Sequence, residues 1–348
     1  MRPDLVPPPK LRPGDRVAIV SPSFAAPAVF PAVHELAMRR LRDEFGLEPV
    51  EYPTTRRLDA DPRDRAADLM AAFTDPGIAG VLATIGGDDT LTVLPFLDPE
   101  LVAANPKPYA GYSDNTNLLN WLWNLGLAGW YGGSTMVHLG RGGGLHPVSA
   151  TSLRAALLDG GDLDLAPAAT FSEDEQDWAD PATRAEFPLD QPGAEWIWHQ
   201  PDRVVTAPTW GGDLEILQWN LAASRWIRPS DDYAGCILLL ETDEELPSAT
   251  AVFRMLRNMG ERGLLAQFPA VVFARPKAAL FGDPADPAQR QRYRDDQREA
   301  VLRALTAYNP AAMAVFNVDF GHTDPQYVLP YGGRMTIDGP ARRITAHY

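Results

Sequence analysis

Short apolar runs alternate with amphipathic stretches along the first half of the chain. Asp15 to Pro22 predicts a first strand, and the spacing from about Ala28 to Phe45 predicts a helix. Glu48 to Tyr52 reads as a second short strand. Asp61–Pro62 signals a helix start, with Ala66, Leu69, Met70 and Phe73 at helical spacing behind it. Ile78 to Ile85 is a buried-strand pattern that ends in the loop Gly86–Gly87–Asp88–Asp89–Thr90, and Tyr109 to Tyr112 is another. Strands alternating with helices in this way predict a doubly wound, mostly parallel α/β sheet, which binds ligands beyond the carboxyl ends of its strands. The Gly86–Thr90 loop and Ser113 both fall at such ends.

The pattern breaks between about Gly160 and Thr209, a stretch rich in Pro, Asp, Glu and Trp with weak periodicity. It then resumes with a helix over about Asp213–Ala223, strand Cys236–Leu240, helix Ser248–Asn258, strand Ala270–Ala274, a long polar helix over about Ala288–Tyr308 and strand Met313–Val318. The tail alternates around Gly332–Gly333 and Asp338–Gly339, as β-hairpins do. The expected organisation is an N-terminal α/β domain over 1–160, a linker and loop region over 161–209 covering the site, and a smaller C-terminal α/β domain with hairpins over 210–348. There is no internal repeat and no sustained heptad.

Composition narrows the function. The 348 residues carry 31 Lys and Arg against 46 Asp and Glu, a net charge of −15, with no basic stripe. A nucleic-acid polymer or an anionic membrane is therefore not an expected partner. Nothing in the sequence has signal-peptide character or approaches the ~20 apolar residues of a membrane span, so a cytoplasmic protein is expected. The single cysteine, Cys236, opens an apolar run and reads as a buried small hydrophobe.

The densest chemistry lies around Ser113. A short strand leads in, Gly111 stands two residues before the serine, and a helical pattern from Asn117 to Leu125 leads away. This outlines a strand–turn–helix nucleophile elbow, which lifts a hydroxyl off the sheet edge; helix capping by Ser113 and Asp114 is the plainer alternative. A serine needs a base and an orienting carboxylate. Glu241 directly follows the apolar run Ile237–Leu240, and His322 follows strand Met313–Val318 with Gly321 beside it. Of the other histidines, His34 and His347 read as structural or exposed, whereas His138 and His146 flank a glycine-rich turn. The order Ser113, Glu241, His322 is that of nucleophile, acid and base. The backbone N–H groups of Asp114 and Gly87 are the candidate oxyanion donors. No zinc spacing, phosphate-binding loop or dinucleotide fingerprint is present, so neither metal nor cofactor is expected.

Together the segments Gly86–Gly–Asp–Asp–Thr90, Gly111–Tyr–Ser–Asp–Asn–Thr116, Gly211–Gly–Asp–Leu214, Leu240–Glu241 and Gly321–His322 resemble those of the serine LD-carboxypeptidases and their relatives, the microcin C immunity peptidases. The resemblance implies a Ser113–Glu241–His322 triad, an oxyanion hole from Gly87 and Asp114, a two-domain α/β fold, no cofactor and a homodimer. The implied substrate is a small peptide or peptidyl-nucleotide, cut either between diaminopimelate and a terminal D-alanine or at an aspartyl–nucleotide amide. Asp213 stands where the family often has Asn. Asp88 and Asp213 are candidate substrate contacts. Trp196, Trp198 and Trp210 would stack on a base or line a peptide groove, against the alternative of core packing. The acidic run Thr242–Glu245, with no Lys or Arg beside Glu241, favours a substrate carrying a free amine. Two rival readings stand beside this one. The Gly86–Thr90 loop also resembles the glycine-rich loop of NAD and lipid kinases, and a degenerate site would make a non-catalytic small-molecule binding protein.

Overall fold

The computed structural model describes residues 3–173, 176–280, 282 and 286–348. Its strands, in chain order, are β1 (Arg16–Val20), β2 (Glu48–Glu51), β3 (Gly80–Ala83), β4 (Tyr109–Gly111), β5 (Gly129–Tyr131), β6 (Asp162–Leu165), β7 (Thr170–Phe171), β8 (Gln191–Pro192), β9 (Ile197–His199), β10 (Val204–Asp213), β11 (Ile237–Glu241), β12 (Ala270–Ala274), β13 (Met313–Val318), β14 (Leu329–Tyr331), β15 (Arg334–Asp338) and β16 (Arg343–His347).

They form two principal sheets. The first runs β14-β5-β4-β3-β1-β2, with β1 to β5 mutually parallel and β14 antiparallel at the edge. The second runs β6-β16-β15-β10-β11-β12-β13-β9, with β10 to β13 parallel. The α/β class with a parallel-rich first sheet is as expected. The second sheet, however, has eight strands against six and is the larger of the two.

Local signals place most helices. Asp61 accepts a hydrogen bond from the Arg63 amide and caps helix Pro62–Thr74; Ser248 caps Ala249–Glu261 in the same way. Helix Pro31–Phe45 opens on Pro31 and closes on Gly46 at φ +67°, a left-handed stop. Strands β11 and β12 are buried at every position, which is why they read as continuous apolar runs.

Two sequence expectations change. The stretch 161–209 is more than a linker: β6 and β9 form the outer edges of the second sheet, and β10 begins at Val204. Gly332–Gly333 is not a hairpin turn. It is the crossing point between β14 in the first sheet and β15 in the second, while the hairpin proper joins β15 to β16. The second sheet is therefore tied into the first through an edge strand.

Candidate active site

Ser113 follows β4 and opens the turn Ser113–Asn115, which runs into helix Thr116–Asn124. The serine itself takes φ +59°, a left-handed conformation uncommon outside glycine. Gly111 meets a different demand: a Cβ there would stand 2.8 Å from the Asn115 side chain. Asn115 stitches the turn by donating to Ile85 O (3.1 Å) and Tyr112 O (2.9 Å) and accepting from the Tyr109 hydroxyl. Any Cβ on Gly86 would lie 3.0 Å from Ser113 Oγ, so a glycine is needed for the loop to pass beside the hydroxyl.

The Gly86–Thr90 loop is fastened to the elbow by a side chain. Asp114 Oδ2 accepts from the amides of Asp89 (3.0 Å) and Thr90 (2.9 Å), and Oδ1 accepts from Asn117 (2.7 Å). Sequence reasoning valued Asp114 for its N–H or as a helix cap; its carboxylate instead holds the loop that carries Gly87. Gly86, Gly87, Asp88 and Ser113 line one cavity.

Glu241 ends β11 and is fully buried. Its Oε2 meets His322 Nδ1 at 2.6 Å, and its Oε1 accepts from the Tyr131 hydroxyl at 2.5 Å. The same hydroxyl oxygen accepts from the Ser113 amide at 3.3 Å. Tyr131, at the end of β5, thus joins the serine turn to the acid. The sequence offered no signal for it, because the contact spans 110 residues. Gly321 takes φ +84° and lies so close to Glu241 that a Cβ would collide with Oε2.

His322 is held from both sides: its Nε2 meets Glu244 Oε2 at 2.8 Å. Burial alone would lower the imidazole, but Glu241 and Glu244 outweigh it and hold the ring well above the ordinary histidine value. Partial burial pushes Glu244 up, yet the His322 charge prevails and holds it down to about 2. The Tyr112 ring packs edge-on against His322, centroids 5.1 Å apart.

The cavity measures about 640 Å³ and holds Ser113, Glu244 and His322 in its wall. Phe24, Phe30, Ile85 and Trp178 form an apolar section, Trp178 meeting Phe30 edge-on at 5.5 Å. Lys277 and Arg141 supply positive charge, Arg141 pairing with Asp324 at 2.6 Å. Asp88 also lines this cavity. Trp210 does not: it is wholly buried, stacked on Phe268 and donating to Asn120. Trp196 is buried and donates to Asp319, and Trp198 packs against the core from β9. These three tryptophans answer to sheet packing, and the cavity takes Trp178 instead.

Asp213 is likewise outside the cavity wall. It caps helix Leu214–Ala223, accepting from the amides of Glu215 and Ile216, and its own amide donates to Thr116. Its carboxylate lies within 4.8 Å of those of Glu215 and Asp243, and within the same distance of Glu241 and His322. Burial, reinforced by neighbouring carboxylates, pushes Asp213 well above its usual range, Glu215 up to about 8 and Asp243 up to about 6. Each of these three carboxyls is thereby biased towards its protonated form. His138 lines the cavity but burial drives it down to about 4, and His146 serves as a helix cap. Cys236 is buried.

Residues 17–132 match the LD-carboxypeptidase N-terminal domain and residues 206–337 the LD-carboxypeptidase C-terminal domain. The chain belongs to the S66 LD-carboxypeptidase family. A protein of Treponema pallidum named as a carboxypeptidase is 29% identical over 96% of this chain and 93% of its own length. An MccF-like protein from Streptococcus pneumoniae, solved with AMP, shares the fold at TM-score 0.83 and 24% identity over 96% of this chain and 99% of its own. Microcin C7 self-immunity protein MccF, solved with aspartyl sulfamoyl adenosine, does so at TM-score 0.80 and 22% identity over 99% and 98%. As an LD-carboxypeptidase family member the chain is a hydrolase of the serine carboxypeptidase type. None of its described helices is long and apolar enough to cross a membrane.

Proposed function

We propose that this family member hydrolyses an amide bond in a small peptide conjugate through a Ser113–Glu241–His322 triad. Ser113 Oγ attacks the carbonyl, His322 Nε2 takes its proton and returns it to the leaving amine, and Glu241 fixes the imidazole through Nδ1. The N–H groups of Gly87 and Asp114 receive the oxyanion; among the described residues neither has another acceptor. The carrying observation is that Ser113 on its left-handed turn and His322 on its carboxylate open into one cavity.

The apolar section around Phe30 and Trp178 favours a conjugate with a flat ring on one side of the scissile bond, as in an aminoacyl- or peptidyl-nucleotide. That the similar MccF was solved with aspartyl sulfamoyl adenosine supports this reading. The second reading, a muropeptide LD-carboxypeptidase, is favoured by both matched domains. The enzyme would act as a cofactor-free homodimer in the cytoplasm, the dimer being checked by light scattering.

Intact-mass labelling with a fluorophosphonate tests the triad. One adduct on the wild type, absent in Ser113→Ala and His322→Ala, is expected; labelling that persists in Ser113→Ala overturns the assignment. Turnover of aspartyl sulfamoyl adenosine against a muropeptide tetrapeptide then separates the two substrates.

A further inference from the structure

The two carboxylates on His322 differ in kind. Glu241 is anchored, 1% exposed, with its second oxygen held by Tyr131. Glu244 belongs to the turn after β11, has a side chain 55% exposed, and stands in the cavity wall. It bonds Nε2, the nitrogen that must accept the proton of Ser113. An imidazole bonded to carboxylates through both nitrogens donates from both and accepts from neither. In this arrangement His322 is an imidazolium and the base is capped.

We propose that Glu244 is the receptor for an ammonium group of the substrate, and that its transfer from His322 Nε2 to that ammonium uncaps the base. The inference rests on the triad reading above. The exchange makes and breaks no covalent bond in the substrate: one ion pair replaces another, and the Nε2 proton passes to solvent once one of the two carboxylates has left. Recognition of a cationic group is thereby coupled to activation, and Glu244 acts as a positioning and specificity-determining residue.

The other groups facing this pair do not replace Glu244. Asp213 and Asp243 do not line the cavity and act on His322 through space. Tyr112 and His322 meet through an edge-on ring contact, and the Lys277 charge lowers Glu244. Arg141 is held by Asp324 and by the carbonyl of Gly144. The capping carboxylate that is both exposed and in the cavity is Glu244.

The test compares wild type, Glu244→Gln and Glu244→Ala, after melting curves establish that each is folded. The first readout is the pH dependence of fluorophosphonate labelling between about pH 5 and 10. The probe carries no ammonium, so wild type should label with a midpoint at least ~1 pH unit above both variants, and one unit below that midpoint about ten times more slowly than at its own alkaline plateau. The second readout is kcat/KM for aspartyl sulfamoyl adenosine against its N-acetylated counterpart. Wild type should prefer the free amine by about tenfold or more, and both variants should lose that preference. Ser113-dependent labelling with superimposed pH midpoints, or an amine preference that survives Glu244→Ala, overturns the inference and leaves the triad standing. Wild type that never labels at Ser113 and cleaves neither compound overturns both.

Discussion

The Tyr131 hydroxyl donates to Glu241 over 2.5 Å, joining the last residue of β5 in the first sheet to the last residue of β11 in the second. The oxygen of that hydroxyl also receives the Ser113 amide, so one phenol sets the distance between the serine turn and the carboxylate that orients His322. Tyr131→Phe removes both bonds and leaves a buried carboxylate oxygen without a donor. We expect a stability loss of about 1–3 kcal/mol and a fall in kcat of about ten- to a hundredfold with KM little changed. Steady-state kinetics beside a denaturation curve will show it, and wild-type kcat would contradict the role.

Ser113 occupies a left-handed backbone conformation at φ +59°. That conformation costs a residue with a Cβ roughly 1 kcal/mol, and the cost is retained because the surrounding turn enforces it. Ser113→Gly should therefore be more stable than Ser113→Ala, by up to about 1 kcal/mol, while both are inert towards fluorophosphonate. Chemical denaturation midpoints decide this; Ser113→Ala proving the more stable would mean that the turn stores no strain.

Glu215 is buried and pushed up to about 8. Its folded form binds a proton more tightly than its unfolded form, so its contribution is fully present below about pH 4.5 and is lost as pH rises towards 8. The loss is on the order of a few kcal/mol. Glu215→Gln should match the wild type in melting temperature near pH 5 and exceed it at pH 8. Parallel curves at both pH values would refute the assignment.

His322 shows the same sign in stability and the opposite sign in activity. Its raised value means that the stabilising charge persists below about 6.5 and disappears as pH climbs through the folded value. As the proposed base, by contrast, His322 is competent only after that proton has left. Activity should therefore rise on the alkaline side of neutrality while the melting temperature falls. A rate flat from about pH 5 to 8 would argue against His322 as the base.

Trp178 meets Phe30 edge-on in the apolar section of the cavity. Trp178→Ala should raise KM for a nucleotide conjugate by about tenfold, equivalent to ~1–2 kcal/mol of lost stacking, with a smaller effect on kcat. For a muropeptide lacking a flat ring the change in KM should be slight. Equal losses on both substrates would assign Trp178 to shaping the cavity as a whole.

The catalytic candidates were legible because each ends a hydrophobic run. Glu241 closes Ile237–Leu240, and His322 lies just beyond Met313–Val318, so burial of the strand announces the exposed end where a site belongs. Tyr131 and Glu244 were not legible as partners, since no local pattern reports a hydrogen bond across 110 residues or the reach of one glutamate among several. Trp196 and Trp210 misled for a different reason: an aromatic ring suits a core and a binding slot equally, and only topology separates them. Glycine was ambiguous in the same way. Gly111 is required by the neighbouring Asn115 side chain, while the unusual dihedral belongs to Ser113.

Strand β14 is separated from the β15–β16 hairpin only by Gly332 and Gly333, yet it completes the edge of the sheet on which Ser113 is mounted. A chain still emerging from the ribosome at residue 160 carries the serine, the glycine loop and Tyr131, but lacks Glu241, His322 and the strand that borders β5. Its hydroxyl is then an ordinary alcohol. On the triad reading, hydrolytic competence waits until His322 and β14 are in place, so a copy halted before them has no means of cleaving amides indiscriminately.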